Sequence, residues 1–166
     1  MAALFSHAVE RPSRSHPAIR AKAIDRMTKD VMAYLRNQGH DDENEEDIAR
    51  QLREAFWVSE DGYHAAKELD EQFHWSPDAE LVEVLDSFGH YMYDEHHNAI
   101  KAWVKEYDIK APLAVGTLVE AEWGRDTIRG KIIDVRAETA QYTVQRPEDT
   151  AKGGAIVNFE DTREAP

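Results

Sequence analysis

The chain has 166 residues, with 33 Asp and Glu against 20 Lys and Arg, a formal charge of −13 and no cysteine. Apolar residues make up 42% of it, enough to build a core, which excludes wholesale disorder. The missing cysteines exclude disulfides and thiolate metal sites, and no run reaches the roughly 20 apolar residues of a membrane span.

Charge is unevenly spread. Residues 1–38 hold 7 Lys/Arg and 3 Asp/Glu, net +4; residues 39–108 hold 5 and 20, net −15; residues 109–166 hold 8 and 10, net −2. The middle of the chain therefore carries the negative charge, which repels phosphate backbones and attracts basic protein surfaces. Residues 1–15 read as an arm, with a short apolar start and no sustained period. Pro12 and Pro17 break the amphipathic helix that an organelle transit peptide would need.

A first helix opens at His16-Pro17, with proline in the first turn, and Ile24, Met27, Val31, Tyr34 and Leu35 follow at 3–4 spacing. Gly39 stops it. Acids at Asp41, Asp42, Glu43, Glu45, Glu46 and Asp47 favour a second helix start, which runs to about Trp57 and buries Ile48, Leu52, Ala55 and Phe56. Ser59 is the expected cap of a third helix, with Tyr63, Ala66, Leu69 and Phe73 on its apolar side. Ser76-Pro77-Asp78 opens a fourth, in which Leu81, Leu85, Phe88, Met92, His96, Ile100, Trp103 and Tyr107 keep one stripe for about seven turns. Gly89 inside it marks a bend or a close helix contact.

Pro112 ends the helical part, and the period changes to two. Strands are expected over 117–123, 127–136, 141–145 and 155–159, with a tight hairpin at Gly124-Arg125-Asp126 and a polar loop from Pro147 to Gly154. The fold class is thus α+β: a 1–15 arm, an acidic helical bundle of about four helices over 16–108, a 109–116 linker and a β-module over 117–162.

The β-module resembles a small SH3-like barrel of the Tudor or KOW type. The resemblance rests on Val115-Gly116-Thr117-Leu118-Val119-Glu120-Ala121, Arg129-Gly130-Lys131-Ile132-Ile133-Asp134-Val135, Gln141-Tyr142-Thr143-Val144 and Ile156-Val157-Asn158-Phe159. It covers less than a third of the chain and implies a barrel that binds peptides, methylated side chains, RNA or polymerase surfaces. A methyl-lysine cage takes three or four aromatics. Tyr142 and Phe159 are needed for the core, which leaves Trp123 as the aromatic available for recognition, beside Arg125.

No catalytic motif is found: there is no phosphate-binding glycine loop and no nucleophile elbow. His90, Asp94 and His97 share a helical face with metal-ligand spacing, but that face lies opposite the apolar stripe and reads as solvated. His96, within the stripe, reads as a satisfied inter-helix histidine. The acidic run lacks the glycine and alternating ligands of a calcium loop. No cofactor is expected.

These features point to a non-enzymatic, cytoplasmic binding protein. Its expected contact surface is Asp41, Asp42, Glu43, Glu45, Glu46, Asp47, Asp70, Glu71, Glu80, Glu83 and Asp86, with Trp123 and Arg125 on the β-module. The expected partner is a protein with a basic surface, such as a nucleic-acid-binding complex, and a homodimer is compatible; direct nucleic-acid or membrane binding is not expected. DNA-mimic inhibitors of phages and mobile elements are similar in composition. Two alternatives stay open: an adaptor working through the barrel, and a metal-dependent enzyme using His90, Asp94 and His97.

Overall fold

The computed structural model describes residues 9–149 and 153–166. The first eight residues of the expected arm, and 150–152 in the polar loop, lie outside the described residues. The fold is α+β, with helices first and a five-stranded antiparallel sheet after them. It divides into two compact units, one of residues 13–98 and the other of residues 99–166 with the N-terminal segment. The division falls inside a helix rather than at Asp108.

The helical unit contains α1 (Pro17–Asn37), α2 (Glu45–Ala55), α3 (Gly62–Phe73), α4 (Ala79–Asp86) and the first half of α5 (Phe88–Glu106). Each of α1 to α4 starts where a side chain satisfies free backbone donors. His16 caps α1, Asn44 caps α2, Asp61 caps α3 and Asp78 caps α4. Two expected caps are therefore corrected. Ser59 Oγ accepts from the Asp61 backbone, one step before the helix, and Asp78 takes the role expected of Ser76. Asp and Asn hold the cap as well as Ser does, so local sequence did not separate them.

The long fourth helix is two helices, α4 and α5, interrupted at Ser87 and not at Gly89. Ser87 keeps near-helical angles, φ −68° and ψ −14°. The apolar period therefore runs on unbroken. The break adjoins a close approach from elsewhere in the chain: Gly62, at the start of α3, is seated on the Leu85–Asp86 backbone. A Cβ at Gly62 would lie 2.5 Å from the Asp86 nitrogen, so any side chain there collides.

Ile24, Met27, Leu52, Leu69, Leu85 and Phe88 are fully or almost fully buried in this unit. Phe56 and Phe88 stack at 4.0 Å between centroids, a geometry worth about 0.5–1.5 kcal/mol beyond the area it buries. Tyr63, expected on the apolar side of α3, is instead 70% exposed, and Ala65 takes the inward position.

The second unit is built on β1 (Leu118–Trp123), β2 (Asp126–Arg136), β3 (Gln141–Gln145), β4 (Ala155–Asn158) and β5 (Thr162–Glu164), in the order β4-β3-β2-β1-β5. β1 also approaches β4, so the sheet curls upon itself. Alternation places Val119, Ala121, Ile132, Tyr142, Val144 and Val157 inside. A register shift in the β2–β3 pairing lies between Ile132 and Asp134, and bends the sheet. Gly124, at φ +66°, makes the expected hairpin, but its loop is two residues, since Asp126, expected in the turn, pairs with Trp123. The expected β-module ended at 162 and had no fifth strand. β5 is three residues long, too short to show a period.

The same core takes in Ile100 and Trp103 from the second half of α5, and Ile109. Leu113 packs against it, and its N–H donates to the Tyr142 hydroxyl at 2.9 Å. Residues 109–116, expected as a linker, thus contribute to the core. The N-terminal segment does too, through Arg11. Its guanidinium donates to the carbonyls of Thr139 (2.9 Å) and Ala140 (2.8 Å), forks onto Glu160, and lies 5.2 Å from the Trp103 ring centroid. Its side chain is 13% exposed. A guanidinium suits this place because it offers several donors in one rigid plane.

Removing Arg11 leaves the Thr139 carbonyl and the Glu160 carboxylate without their donor and takes one of two donors from the Ala140 carbonyl, which keeps the Phe159 N–H. Arg11→Ala is expected to destabilise the β-unit by about 1–3 kcal/mol. A thermal melt followed by near-ultraviolet circular dichroism should drop by several degrees, whereas Arg14→Ala, half exposed on the other unit, should change little.

Candidate functional site

The candidate acidic surface follows from how α1 to α4 are joined. Three contacts fix the relation of their ends. Gln38, after α1, donates to Glu80 at the start of α4 (3.3 Å). The Trp75 indole N–H, after α3, donates to Gln51 of α2 (2.6 Å). The Gly62 N–H, at the start of α3, donates to Asp86 at the end of α4 (3.0 Å). The end of α1, the start of α2, the end of α3 and the start of α4 therefore share one end of the bundle.

Asp41, Asp42 and Glu43 lie in the α1–α2 turn, outside the helix they were expected to start. Glu45, Glu46 and Asp47 form the first turn of α2. Asp70 and Glu71 are in the last turn of α3. Glu80 opens α4, and Glu83 follows one turn later. All ten are exposed. Asp86, the eleventh expected contact, sits at the opposite end of α4. Its carboxylate holds the first N–H of α3, which is a structural task.

These carboxylates differ in how far the protein already uses them. Asp47 accepts from Arg50 (2.6 Å) and from Gln51 (2.8 Å), and the Arg50 guanidinium holds its carboxyl below the usual carboxylate range. Glu71 lies 3.5 Å from Lys67 on the same helix. Asp41, Asp42, Glu43, Glu45, Glu46, Asp70 and Glu83 have no salt bridge or side-chain hydrogen bond among the described residues. Arg26 of α1, a cation that might have neutralised them, instead bridges Asp94 (3.1 Å) and Glu95 (3.2 Å) and lies 4.1 Å over the Tyr91 ring.

That pairing also decides the His/Asp face of α5. Asp94 is shared between Arg26 and His90, whose Nε2 is 3.5 Å away. His97 stacks on Tyr93 at 5.9 Å. Among the described residues, no three His, Cys, Asp or Glu side chains converge as a metal site. No helix there is long and apolar enough to cross a membrane.

Trp123 ends β1 in phase with the buried Val119 and Ala121, yet 46% of its surface is exposed. The guanidinium beside it is that of Arg146, 5.6 Å from the ring centroid; Arg125 stands at the exposed hairpin tip. Asp149 secures Arg146 through its guanidinium (2.7 Å) and its backbone N–H (2.9 Å). A shallow cavity of about 370 Å³ borders Trp123, Arg146, Glu148 and Gly154. The place of Trp123 beside the hairpin anticipated its exposure, but Arg146, just after β3, is distant in sequence and was missed.

The other feature missed is apolar. Trp57 and Val58, in the α2–α3 connection, are 78% and 83% exposed. They stand at one end of a groove of about 600 Å³ between α2 and α3, whose walls include Arg50, Arg53, His64 and Glu68. Trp57 follows a buried Phe56 but falls at 3–4 spacing from the exposed Arg50, Arg53 and Glu54, and that spacing was the signal that could have found it.

Comparison with protein-family models, with curated proteins and with solved structures finds no match to this chain.

Two outcomes are expected. Asp86→Ala removes the acceptor for the Gly62 N–H and should cost about 1 kcal/mol, while Glu43→Ala leaves stability unchanged within error; urea unfolding followed by far-ultraviolet circular dichroism separates them. The second concerns pH. Arg146 holds the Asp149 carboxyl below its usual range. A depressed carboxyl contributes stability above its unfolded value, about 3.9, and loses it as pH falls through the lower folded value. The Trp123 indole resonance should therefore move only in that acid window, and Asp149→Asn should move it at neutral pH.

Proposed function

We propose that this chain is a non-enzymatic, cytoplasmic binding protein that engages a basic, nucleic-acid-handling protein through the acidic end of its helical bundle. Such a surface competes with nucleic acid for the partner's cationic face, in the manner of a mimic-type inhibitor carried by a phage or mobile element.

The observation that carries this reading is the gathering of unpaired carboxylates. Asp41, Asp42, Glu43, Glu45 and Glu46 occur within six residues, beside Asp70, Glu71, Glu80 and Glu83, and the first five lack a basic partner among the described residues. A helix start gains only about 0.3–1 kcal/mol from each nearby acid. α2 has three acids in its first turn and an Asn44 cap donating no charge. Asp41, Asp42 and Glu43 are therefore surplus to helix formation. Unpaired like charges on a small surface raise the local field, speed encounter with a cation and repel polyanions.

The exposed Trp123 favours a second reading, an adaptor acting through the barrel, since interface hot spots are rich in tryptophan and arginine.

One experiment separates the two. A basic DNA-binding domain on labelled duplex DNA serves as the probe, and displacement of the DNA by this protein is followed by fluorescence anisotropy. Displacement should weaken steeply with ionic strength. Replacing Glu43, Glu45 and Glu46 with Lys should slow association by about tenfold or more at low salt, with circular dichroism unchanged. Displacement that survives this reversal but is abolished by Trp123→Ala contradicts the acidic reading.

A further inference from the structure

We propose that the groove between α2 and α3 receives an amphipathic helix of the basic partner, with the helix's cationic end directed to the acidic end of the bundle. This inference rests on the acidic reading above and assigns the partner its secondary structure and polarity.

The groove has a direction. On α2, Glu46, Asp47, Arg50, Arg53, Glu54 and the following Trp57 recur at 3–4 spacing and so lie along one face. On α3, His64, Glu68 and Gln72 recur every fourth residue and form the facing wall. Trp57, Val58 and His64 mark one end of the groove. Gln72 marks the other; Glu71 adjoins it on α3 and Asp47 lies one turn before Arg50 on α2, toward the acidic end of the bundle.

The lining is mainly apolar. It includes Ala55, exposed Trp57 and Val58, and the aliphatic stems of Arg50 and Arg53, which present carbon to a neighbour while their heads reach water. Two adjacent apolar side chains at 78% and 83% exposure cost free energy in water and gain it under a partner. A furrow between two helices is the shape into which the side-chain ridge of a third helix packs, and apolar anchors on such a helix recur at i, i+3, i+4 and i+7.

Charge chooses the occupant and its orientation. Acids at one end call for Lys or Arg at the near end of the incoming helix. Arg50 is already neutralised, by Asp47 at 2.6 Å and Glu54 at 3.3 Å. Arg53, on the same wall, has no ion pair among the described residues. It offers a site for one carboxylate farther along the partner. The complementary helix therefore carries cations at one end, an apolar stripe, and an acid opposite Arg53. An extended or uniformly cationic chain lacks this pattern.

The test uses the full chain and two synthetic peptides of identical composition. One places leucines at i, i+3, i+4 and i+7 with lysines at one end and a glutamate toward the other; the other is scrambled, so that charge is kept and the stripe is lost. Binding is measured by anisotropy of a dye on the peptide. The patterned peptide should bind about tenfold or more tightly than the scrambled one. Trp57→Ser with Val58→Ser should remove that difference. Both side chains are exposed, so the fold should persist by circular dichroism. Arg53→Glu should weaken the patterned peptide, and a lysine replacing its glutamate should restore binding. Equal affinity for the two peptides, with both lost on reversal of Glu43, Glu45 and Glu46, overturns the groove and leaves the acidic reading standing. Loss of neither peptide on that reversal overturns the acidic reading. If the unaltered protein self-associates in sedimentation and the Trp57/Val58 variant does not, the groove seats a second copy, and the proposal falls.

Discussion

Short connections favour neighbouring helices that run in opposite directions. Residues 38–44, 56–61 and 74–78 are all that join α1, α2, α3 and α4, and connections of that length ordinarily join antiparallel neighbours. The turn after α1 and the turn after α3 then share one end of the bundle. Gln38 meeting Glu80, and Trp75 meeting Gln51, are the contacts that express it. The acids in and beside those turns are brought together by connectivity, although they are up to about forty positions apart in sequence.

Within that constraint the carboxylates divide by the work they do. Asp61, Asp78 and Asp86 hold backbone donors at helix ends. Asp94 and Glu95 hold Arg26, and Glu160 holds Arg11. Those acids answer needs that the fold creates, because a buried or terminal donor without an acceptor costs about 1–3 kcal/mol. Asp41, Asp42 and Glu43 answer no such need in the structure. Self-repulsion among them works against the compact state, so a structural account of the fold leaves them unexplained while a binding account uses them. In the proposed binding mode the groove between α2 and α3 would add apolar anchoring to a field that by itself steers without fixing a pose.

Much of this was legible in sequence wherever one period held. The limits of α1, β2 and β3 and the hairpin at Gly124 followed from spacing and from one glycine. What escaped was set by residues far apart in the chain. The break at Ser87 adjoins the backbone on which Gly62 is seated, and the apolar stripe continues through it without a mark. That stripe also concealed a change of core, since Met92 is buried in the helical unit and Ile100 and Trp103 in the β-unit. β5 exists because β1 has a free edge to pair, not because Thr162-Arg163-Glu164 favours a strand. Arg11 reaches Glu160 across nearly the whole chain. At the candidate site the acids could be named from sequence, but not sorted: that Asp86 is committed to Gly62 and that Arg146 rather than Arg125 meets Trp123 depend on tertiary placement, whereas the outward Trp57 was legible in its spacing from Arg50, Arg53 and Glu54.

The central claim is that the acidic end of the bundle is an unneutralised field. Its most direct test needs no partner. Thermal stability of the unaltered chain is compared, across a sodium chloride series at neutral pH, with that of a chain carrying Asp41→Asn, Asp42→Asn, Glu43→Gln, Glu45→Gln and Glu46→Gln. If the charges repel one another unpaired, salt screens them and raises the melting temperature of the unaltered chain more steeply than that of the amide variant. A melting temperature that responds to salt identically in both chains, or falls with salt only in the unaltered one, would show that those carboxylates are neutralised within the fold, and would contradict the account.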